Sequence, residues 1–233
     1  MAERKLIIAI DGPSGAGKST LAARLARKFG YLNIETGAMY RALALKALQN
    51  DIAFEDAEAL ERLAHQTLIV LEPLHTGNRV LLDGQNVTER IREQDVTDAA
   101  SKVSVHPGVR TWMVSLQRKM GEAGGVVMEG RDIGTAVFPN AEVKIFLDAE
   151  PEIRGNRRHA QKEGGMRERA SEVAAEMKER DARDRTRAAS PLVPADDAVI
   201  IDSTSLSLDE VVAKAFELVT TKQKKCSVPG GIN

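Results

Sequence analysis

The sequence predicts a three-layer α/β domain around a mostly parallel sheet, with a small inserted antiparallel lobe and a helical lid. Three observations carry that expectation. An apolar run at residues 5–10 leads straight into a glycine-rich loop and then an amphipathic helix. Strand-length apolar runs alternate with helical patterns along most of the chain, and one hairpin pattern interrupts the alternation. Ligands in such folds bind beyond the carboxyl ends of the strands. Segments 11–19, 35–41, 130–135 and the region beyond 148 are therefore where chemistry is expected.

Each element follows from local pattern. KLIIAI (5–10) shows no polar alternation, as expected of a strand buried on both faces. Leu21, Leu25 and Phe29 recur every four residues, and Gly30 stops that helix. YLNI (31–34) reads as a second strand, and Thr36 as the cap of a helix through Met39, Leu43 and Ala47. Residues 55–63 read as a further helix. TLIVLEPL and RVLLDG then flank HTGN, a hairpin with Gly77 in its turn, and His75 sits there too. Helices are expected over 95–104 and 108–120. Pro107 opens the second, and Val109, Met113, Leu116 and Met120 form its stripe. VVMEG (126–130), EVKIFLD (142–148) and AVIID (198–202) read as strands, 152–187 as a helical lid, and 208–219 as the last helix. KQKKCSVPGGIN is expected to fray. One domain over 1–222 results, with core 4–63, 105–150 and 190–222, an insert at about 64–104, a lid at about 151–189 and a polar tail 223–233.

Composition narrows the function. Among 233 residues, 33 Lys and Arg face 34 Asp and Glu, and a net charge of −1 argues against a nucleic-acid or anionic-membrane binder. Apolar residues at 42% and charged ones at 29% exclude wholesale disorder; aromatics at 3% require an aliphatic core. One cysteine, Cys226, allows no intrachain disulfide and no cysteine-based zinc site, which fits a reducing compartment. No run approaches the roughly 18–20 apolar residues of a membrane span. The six-residue apolar run before Asp11 is too short for a secretory leader. A cytoplasmic, monomeric protein is expected.

The loop is the most specific feature. Gly12, four residues, then Gly17-Lys18-Ser19 is a Walker A sequence, with a strand before it and a helix after it. In the loop of Gly12, Pro13, Ser14, Gly15, Ala16 and Gly17, the glycines let the backbone N–H groups, which Pro13 alone lacks, turn inward around phosphate oxygens. The helix beginning at Lys18, Ser19 and Thr20 adds its positive end. Lys18 is suited to the β- and γ-phosphates and Ser19 to Mg²⁺, so ATP and Mg²⁺ are the expected ligands of a P-loop NTPase-type domain. The guanine-reading Asn-Lys-x-Asp of GTPase switches is missing. Asp148 and Asp202 end apolar strands, so either could be the acid beside the metal or simply cap the next helix; Pro151 favours the cap for Asp148.

The remaining polar clusters suggest an acceptor. ETGAMYR (35–41) sets Tyr40 and Arg41 one turn into a helix, where Arg41 either faces a bound anion or is solvated. GRD (130–132) follows a strand directly and offers either a phosphate fork with an acceptor or a local ion pair. Segment 152–187 holds 11 of the chain's 33 basic residues, interleaved with 8 acidic ones. Alternating charge of this kind is commonly a solvated helix face. Several arginines on a helical lid could equally close over polyphosphate and exclude water.

GPSGAGKST, ETGAMYR, EGRDIGT and ERDARDRTRAASPL, in this order and spacing, resemble the bacterial cytidylate kinase family of nucleoside monophosphate kinases. The resemblance spans roughly residues 4–220. The hairpin lobe resembles that family's enlarged monophosphate-binding insert, and Glu35 stands where the family more often has Asp. The resemblance implies transfer of the ATP γ-phosphate to CMP or dCMP. Lys18 and the loop backbone would hold ATP phosphates, and Arg157 would approach ATP from the lid. Thr36, Tyr40, Arg41, Arg131 and Arg187 would surround the acceptor. Ser101, Arg110 and Asp132 would read cytosine, Asp184 would take a sugar hydroxyl, and Arg180 would lie near both substrates. No general base is needed for an ionised acceptor phosphate, so no histidine is assigned a catalytic role. A kinase of a non-nucleotide acceptor, a nucleotide-sensing regulator and a nucleic-acid role for the arginine-rich segment are the competing readings.

Overall fold

The first apolar run forms β1 (Ile7–Asp11), and α1 (Lys18–Phe29) follows the glycine loop, ending at Gly30 in a left-handed conformation. β2 (Leu32–Glu35) leads into α2 (Thr36–Gln49) and α3 (Ala57–His65). The antiparallel β3 (Ile69–Leu74), β4 (Gly77–Leu82) and β5 (Gln85–Asn86) come next, then a 3₁₀ turn at Arg90–Arg92, α4 (Gln94–Val103) and α5 (Pro107–Gly121). β6 (Val126–Gly130), a π-helical turn at Ile133–Val137 and β7 (Val143–Asp148) precede α6 (Pro151–Gln161), α7 (Ala170–Thr186), β8 (Val199–Asp202) and α8 (Leu208–Ser227). This computed structural model describes residues 5–74, 77–161 and 170–227. His75, part of the lid and the last six tail residues lie outside the described residues.

The main sheet is parallel throughout, in the order β2-β6-β1-β7-β8. Its middle strand is β1, which explains why residues 8–10 are apolar without alternation: Ile8, Ala9 and Ile10 are fully buried between two helical layers. Strand 1 therefore delivers its loop to the centre of the sheet's carboxyl edge. α1 and α8 cover one face through Leu21, Leu25, Val212 and Ala215. The other face packs Ile34, Met128 and the π-helical turn. A separate apolar cluster joins α2, α3, α4 and α5 to β3 and β4. The second sheet, β3-β4-β5, is held by hairpin pairing from Ile69↔Leu82 to Leu74↔Gly77, plus the short third strand that the sequence pattern did not indicate.

Two expectations are corrected. Thr36 does not cap α2: Glu35 occupies that position, and the Thr36 hydroxyl instead donates to the Glu129 carbonyl at 2.8 Å. The last helix does not stop at Val219 but runs to Ser227, through the first part of the expected tail. Polarity alone does not end a helix, and the first proline in that stretch is Pro229.

Leu43, fully buried on α2, ties the insert's cluster together. Leu43→Ala is expected to cost about 2–5 kcal/mol, read as a lowered urea midpoint with an unchanged slope.

Candidate active site

A cleft at the carboxyl edge of the sheet brings together residues from five parts of the chain. The loop and α1 supply Ser14, Gly15, Gly17, Lys18, Ser19 and Thr20. The β2–α2 junction supplies Glu35, Thr36, Tyr40 and Arg41, α4 and α5 supply Ser104 and Arg110, the end of β6 supplies Glu129, Arg131 and Asp132, and α7 and its exit supply Arg180, Asp184 and Arg187.

The glycine loop follows from close approach. Gly12 has φ +146°, and a Cβ there would lie 2.0 Å from the Leu147 carbonyl oxygen, so only glycine fits between β1 and β7. Gly17, at φ +97°, enters α1 and has no side chain to cap it, leaving the first-turn amides facing the cleft for an anion. Lys18 is buried and donates to the Pro13 carbonyl at 2.7 Å. Burial lowers its pKa, Arg131 and Arg180 push the same way, and Glu129 and Asp11 oppose them.

The turn after β6 is built from ion pairs between distant segments. Arg131 and Asp132 do not pair with each other. Arg131 donates Nε to Asp184 Oδ2 at 2.9 Å, and Asp132 accepts from Arg110 Nη2. Arg187 lies 3.5 Å from Asp184 and 3.7 Å from Asp132, and donates Nε to the Ser190 carbonyl at 2.7 Å. Burial works against charge on Asp184, yet Arg131, Arg180 and Arg187 hold its carboxyl below the usual carboxylate range. Arg41 meets Glu35 at 2.6 Å with both side chains half-buried, so it is neither solvated nor loose. The Arg110 guanidinium lies 5.4 Å from the centre of the Tyr40 ring. Burial pushes the Tyr40 phenol up to about 12, and its hydroxyl has no hydrogen-bond partner among the described residues.

Of the residues singled out from sequence, most line this one cleft. Ser101 does not line it, but sits buried on α4 beside cleft-lining Ala100, with its hydroxyl unpartnered among the described residues. Arg157 is also outside the lining. Its guanidinium donates to the Ser203 hydroxyl at 3.0 Å and carbonyl at 2.8 Å, beyond β8. Neither Asp148 nor Asp202 reaches the cleft; Asp202 accepts from Thr204, and Asp148 from the Ala149 amide.

The acid beside the loop is instead Glu129, which sequence reading passed over. It is buried at the end of β6, its carboxylate accepts from the Ser19 hydroxyl at 3.0 Å, and burial raises its pKa while Lys18 opposes that rise. Asp11, at the end of β1, was passed over as well. Both are single acids closing apolar strands, a signal that draws attention only once the strand's carboxyl end is known to face the site. The Ser19 hydroxyl and Glu129 carboxylate are hard oxygen donors on one spot, which suits Mg²⁺ completing its shell with water and phosphate oxygens. Among the described residues no group of three or more His, Cys, Asp or Glu could hold a metal by itself.

Comparison with known proteins shows similarity along most of the chain. Residues 8–221 match the family described as Cytidylate kinase. The chain is 49% identical over 223 residues to a Cytidylate kinase of Solibacter usitatus, covering 94% of each chain. It is 50% identical to a Cytidylate kinase of Enterococcus faecalis, covering 94% of this chain and 97% of that one. A Cytidylate kinase of Anoxybacillus flavithermus is also 50% identical, with 93% and 97% covered.

Asp11 provides a test of the buried charge. Burial is the main cause that raises its carboxyl from 3.8 to about 7. Between those values the folded chain holds a proton that the unfolded chain has lost. The stability linked to this group is thus complete below about pH 3.8 and gone once the pH passes about 7. Asp11→Asn is expected to make the fall of stability between those values shallower, by up to about 1.4 kcal/mol per pH unit, in urea titrations across the range.

Proposed function

From its membership of the cytidylate kinase family, to which this chain belongs, we infer that the protein transfers the γ-phosphoryl group of ATP to CMP. The observation that supports this most directly is the single cleft in which the glycine loop meets the Thr36–Arg41, Arg131–Asp132 and Arg180–Arg187 groups. The lining carries Lys18, Arg41, Arg110, Arg131, Arg180 and Arg187 against Glu35, Glu129, Asp132 and Asp184, a surplus of two positive charges in a chain whose net charge is −1. A site for two phosphorylated molecules requires that local excess.

The donor side is the loop: backbone amides from residues 15–19, the positive end of α1 and Lys18 take the ATP phosphates, while Pro13 has no amide hydrogen and the Ser14 amide donates to Asp181. Ser19 and Glu129 would hold Mg²⁺ there, and the ion would supply charge neutralisation to the ATP phosphates. The acceptor side is Thr36, Arg41, Arg131 and Arg187 around the CMP phosphate, with Asp132, Arg110 and Ser104 toward the base, Ser101 buried beside cleft-lining Ala100, and Tyr40 beside Arg110. Cytosine's exocyclic amine requires an acceptor, which Asp132 provides. Its carbonyl and ring nitrogen require donors, which Arg110 provides from the lining and the buried, unpartnered Ser101 hydroxyl would provide from beside it. Asp184 takes a sugar hydroxyl, and the use of dCMP depends on how much binding rests there. Arg180 lines the cleft between the two substrate sides. Arg157, which donates to Ser203 outside that lining, would have to leave Ser203 to approach ATP.

An ionised oxygen of the CMP phosphate attacks the γ-phosphorus in line. The new P–O bond forms as the bond from the γ-phosphorus to its bridging oxygen breaks, and ADP leaves with that electron pair. The nucleophile carries no proton at neutral pH, so no base takes part. Lys18, Arg41, Arg131 and Arg187 lower the repulsion between the two anions and stabilise the charge that moves to the bridging and equatorial oxygens. Free nucleotides as substrates, a monomeric state and a cytoplasmic location complete the reading, supported by the near-neutral chain and its single, exposed Cys226. No helix among the described residues is long and apolar enough to cross a membrane.

Lys18→Ala is expected to lower turnover by about 10²–10⁴ in a coupled ADP-release assay, the range for a lost electrostatic group. A panel of CMP, dCMP, UMP and AMP in the same assay is expected to favour the cytosine nucleotides. Asp132→Ala should raise the KM for CMP far more than that for ATP, because a polar base edge is left unpaired. Failure to form a diphosphate from any pyrimidine monophosphate would remove the function.

A further inference from the structure

Asp11 has no part in the chemistry described so far, yet it is buried and both its oxygens are engaged. Oδ1 accepts the Ile133 amide at 2.8 Å, and Oδ2 accepts the Gly134 amide at 2.7 Å. These are the two amides directly after Arg131 and Asp132, in the first part of the π-helical turn. The same turn closes on the Asp132 carbonyl, which accepts from Ala136 at 2.8 Å and Val137 at 3.2 Å. The next residue after Asp11 is Gly12, where the phosphate loop begins. One carboxylate thus joins the donor loop's strand to the turn that carries the acceptor's contacts. The charged groups near it are Asp132 on that turn, Lys18 on α1 and, alongside Gly134, the Lys144 side chain of β7.

We propose that Asp11 is a positioning residue for acceptor binding: its two-pronged hold on the Ile133 and Gly134 amides fixes Arg131 and Asp132 relative to the phosphate loop. The proposal rests on the reading that Arg131 and Asp132 receive the CMP. A two-amide hold requires two acceptors. Asparagine provides one and turns an N–H₂ toward the other amide, so a buried donor then faces a donor. The turn shifts to escape that contact, and Asp132 shifts with it. The loop's own backbone is held elsewhere, by Leu147 packing against Gly12 and by the start of α1.

Asp11→Asn is expected to raise the KM for CMP at least about fivefold, the loss that a broken buried hydrogen bond brings, while the KM for ATP stays within about twofold. A residue that only stabilises the fold would lower the melting temperature and leave both KM values of the folded enzyme unchanged. That result, or an equal rise in both, overturns the proposal. If Asp11→Asn does not fold, Gly134→Ala decides. Its methyl would sit 3.2 Å from the buried Lys144 side chain, so the turn or Lys144 must give by a few tenths of an ångström, and in contact with Asp11 Oδ2 at 3.4 Å, loading the hold from the other side. It is expected to raise the KM for CMP alone by roughly threefold, and unchanged or equally shifted KM values there overturn the proposal too. Asp132→Ala, measured in parallel, separates the two levels. If it leaves the KM for CMP unchanged, the site reading itself falls; if it raises that KM while Asp11→Asn does not, only the positioning role falls.

Discussion

Like charges crowded into a region with little water repel strongly, and this protein places six cationic side chains around one cleft. Everything else at the site answers that constraint. Each cation whose partners are described rests on an internal acceptor: Lys18 on the Pro13 carbonyl, Arg41 on Glu35, Arg110 on Asp132, and Arg131 and Arg187 on Asp184. The carboxylates hold the arginines in place and, being fewer than the cations, leave the set with a positive surplus, while burial lowers the pKa of Lys18. The remaining positive surplus is what phosphates would meet. Buried ion pairs of this kind add little to stability compared with apolar packing, so their presence is better explained by the charge they keep available.

The fold supplies the separation that makes such a cleft possible. Apolar packing divides into a cluster built on α2, α3, α4 and α5 with the hairpin, and clusters on the two faces of the parallel sheet. The cleft lies where these apolar masses meet, and polar links join them. Asn78 of β4 donates to the Asn33 carbonyl of β2 at 2.8 Å, and Arg110 of α5 reaches Asp132 after β6. Asn78 thus ties the insert to the sheet outside the cleft lining, while the Arg110–Asp132 pair ties α5 to the turn after β6 within it.

Sequence reading succeeded where signal is contiguous and failed where it is assembled from afar. The loop was legible because strand, glycines, lysine and helix follow one another within about fifteen residues. The hairpin, the parallel strands and the helix starting at Pro107 were legible for the same reason. Glu129 and Asp11 were not, because nothing near either residue in the chain shows its role. Ser19 is 110 residues from Glu129, and Ile133 is 122 from Asp11. Thr36 illustrates a different failure. A threonine at a helix start suggests a cap by type, but a buried neighbouring carbonyl took its hydroxyl. Arg157, which the resemblance places near ATP, donates here to Ser203 outside the cleft lining, a contact no local pattern shows.

The arginine-rich segment shows how both competing sequence readings can hold on one helix. Along α7, Arg180, Asp184 and Arg187 follow a spacing of four and three, so they share the face turned to the cleft. Arg183 and Arg185 point away, toward Glu179 and Asp148, with more than a third of each side chain exposed. One face is the solvated ion-paired surface that alternating charge suggests, and the other lines the site. What selects the face is Asp181, one residue after Arg180. It pairs with Arg154 of α6, and this buried pair holds both backbone groups of Ser14 in the phosphate loop: Asp181 accepts the amide at 3.3 Å and Arg154 donates to the carbonyl at 3.0 Å. A rotation of α7 by even one residue, about 100° around its axis, would pull Asp181 from that junction and turn Arg180 and Arg187 out of the cleft together. The register of the lid arginines is therefore set by the same loop that is suited to phosphate, through a contact 167 residues apart in the chain.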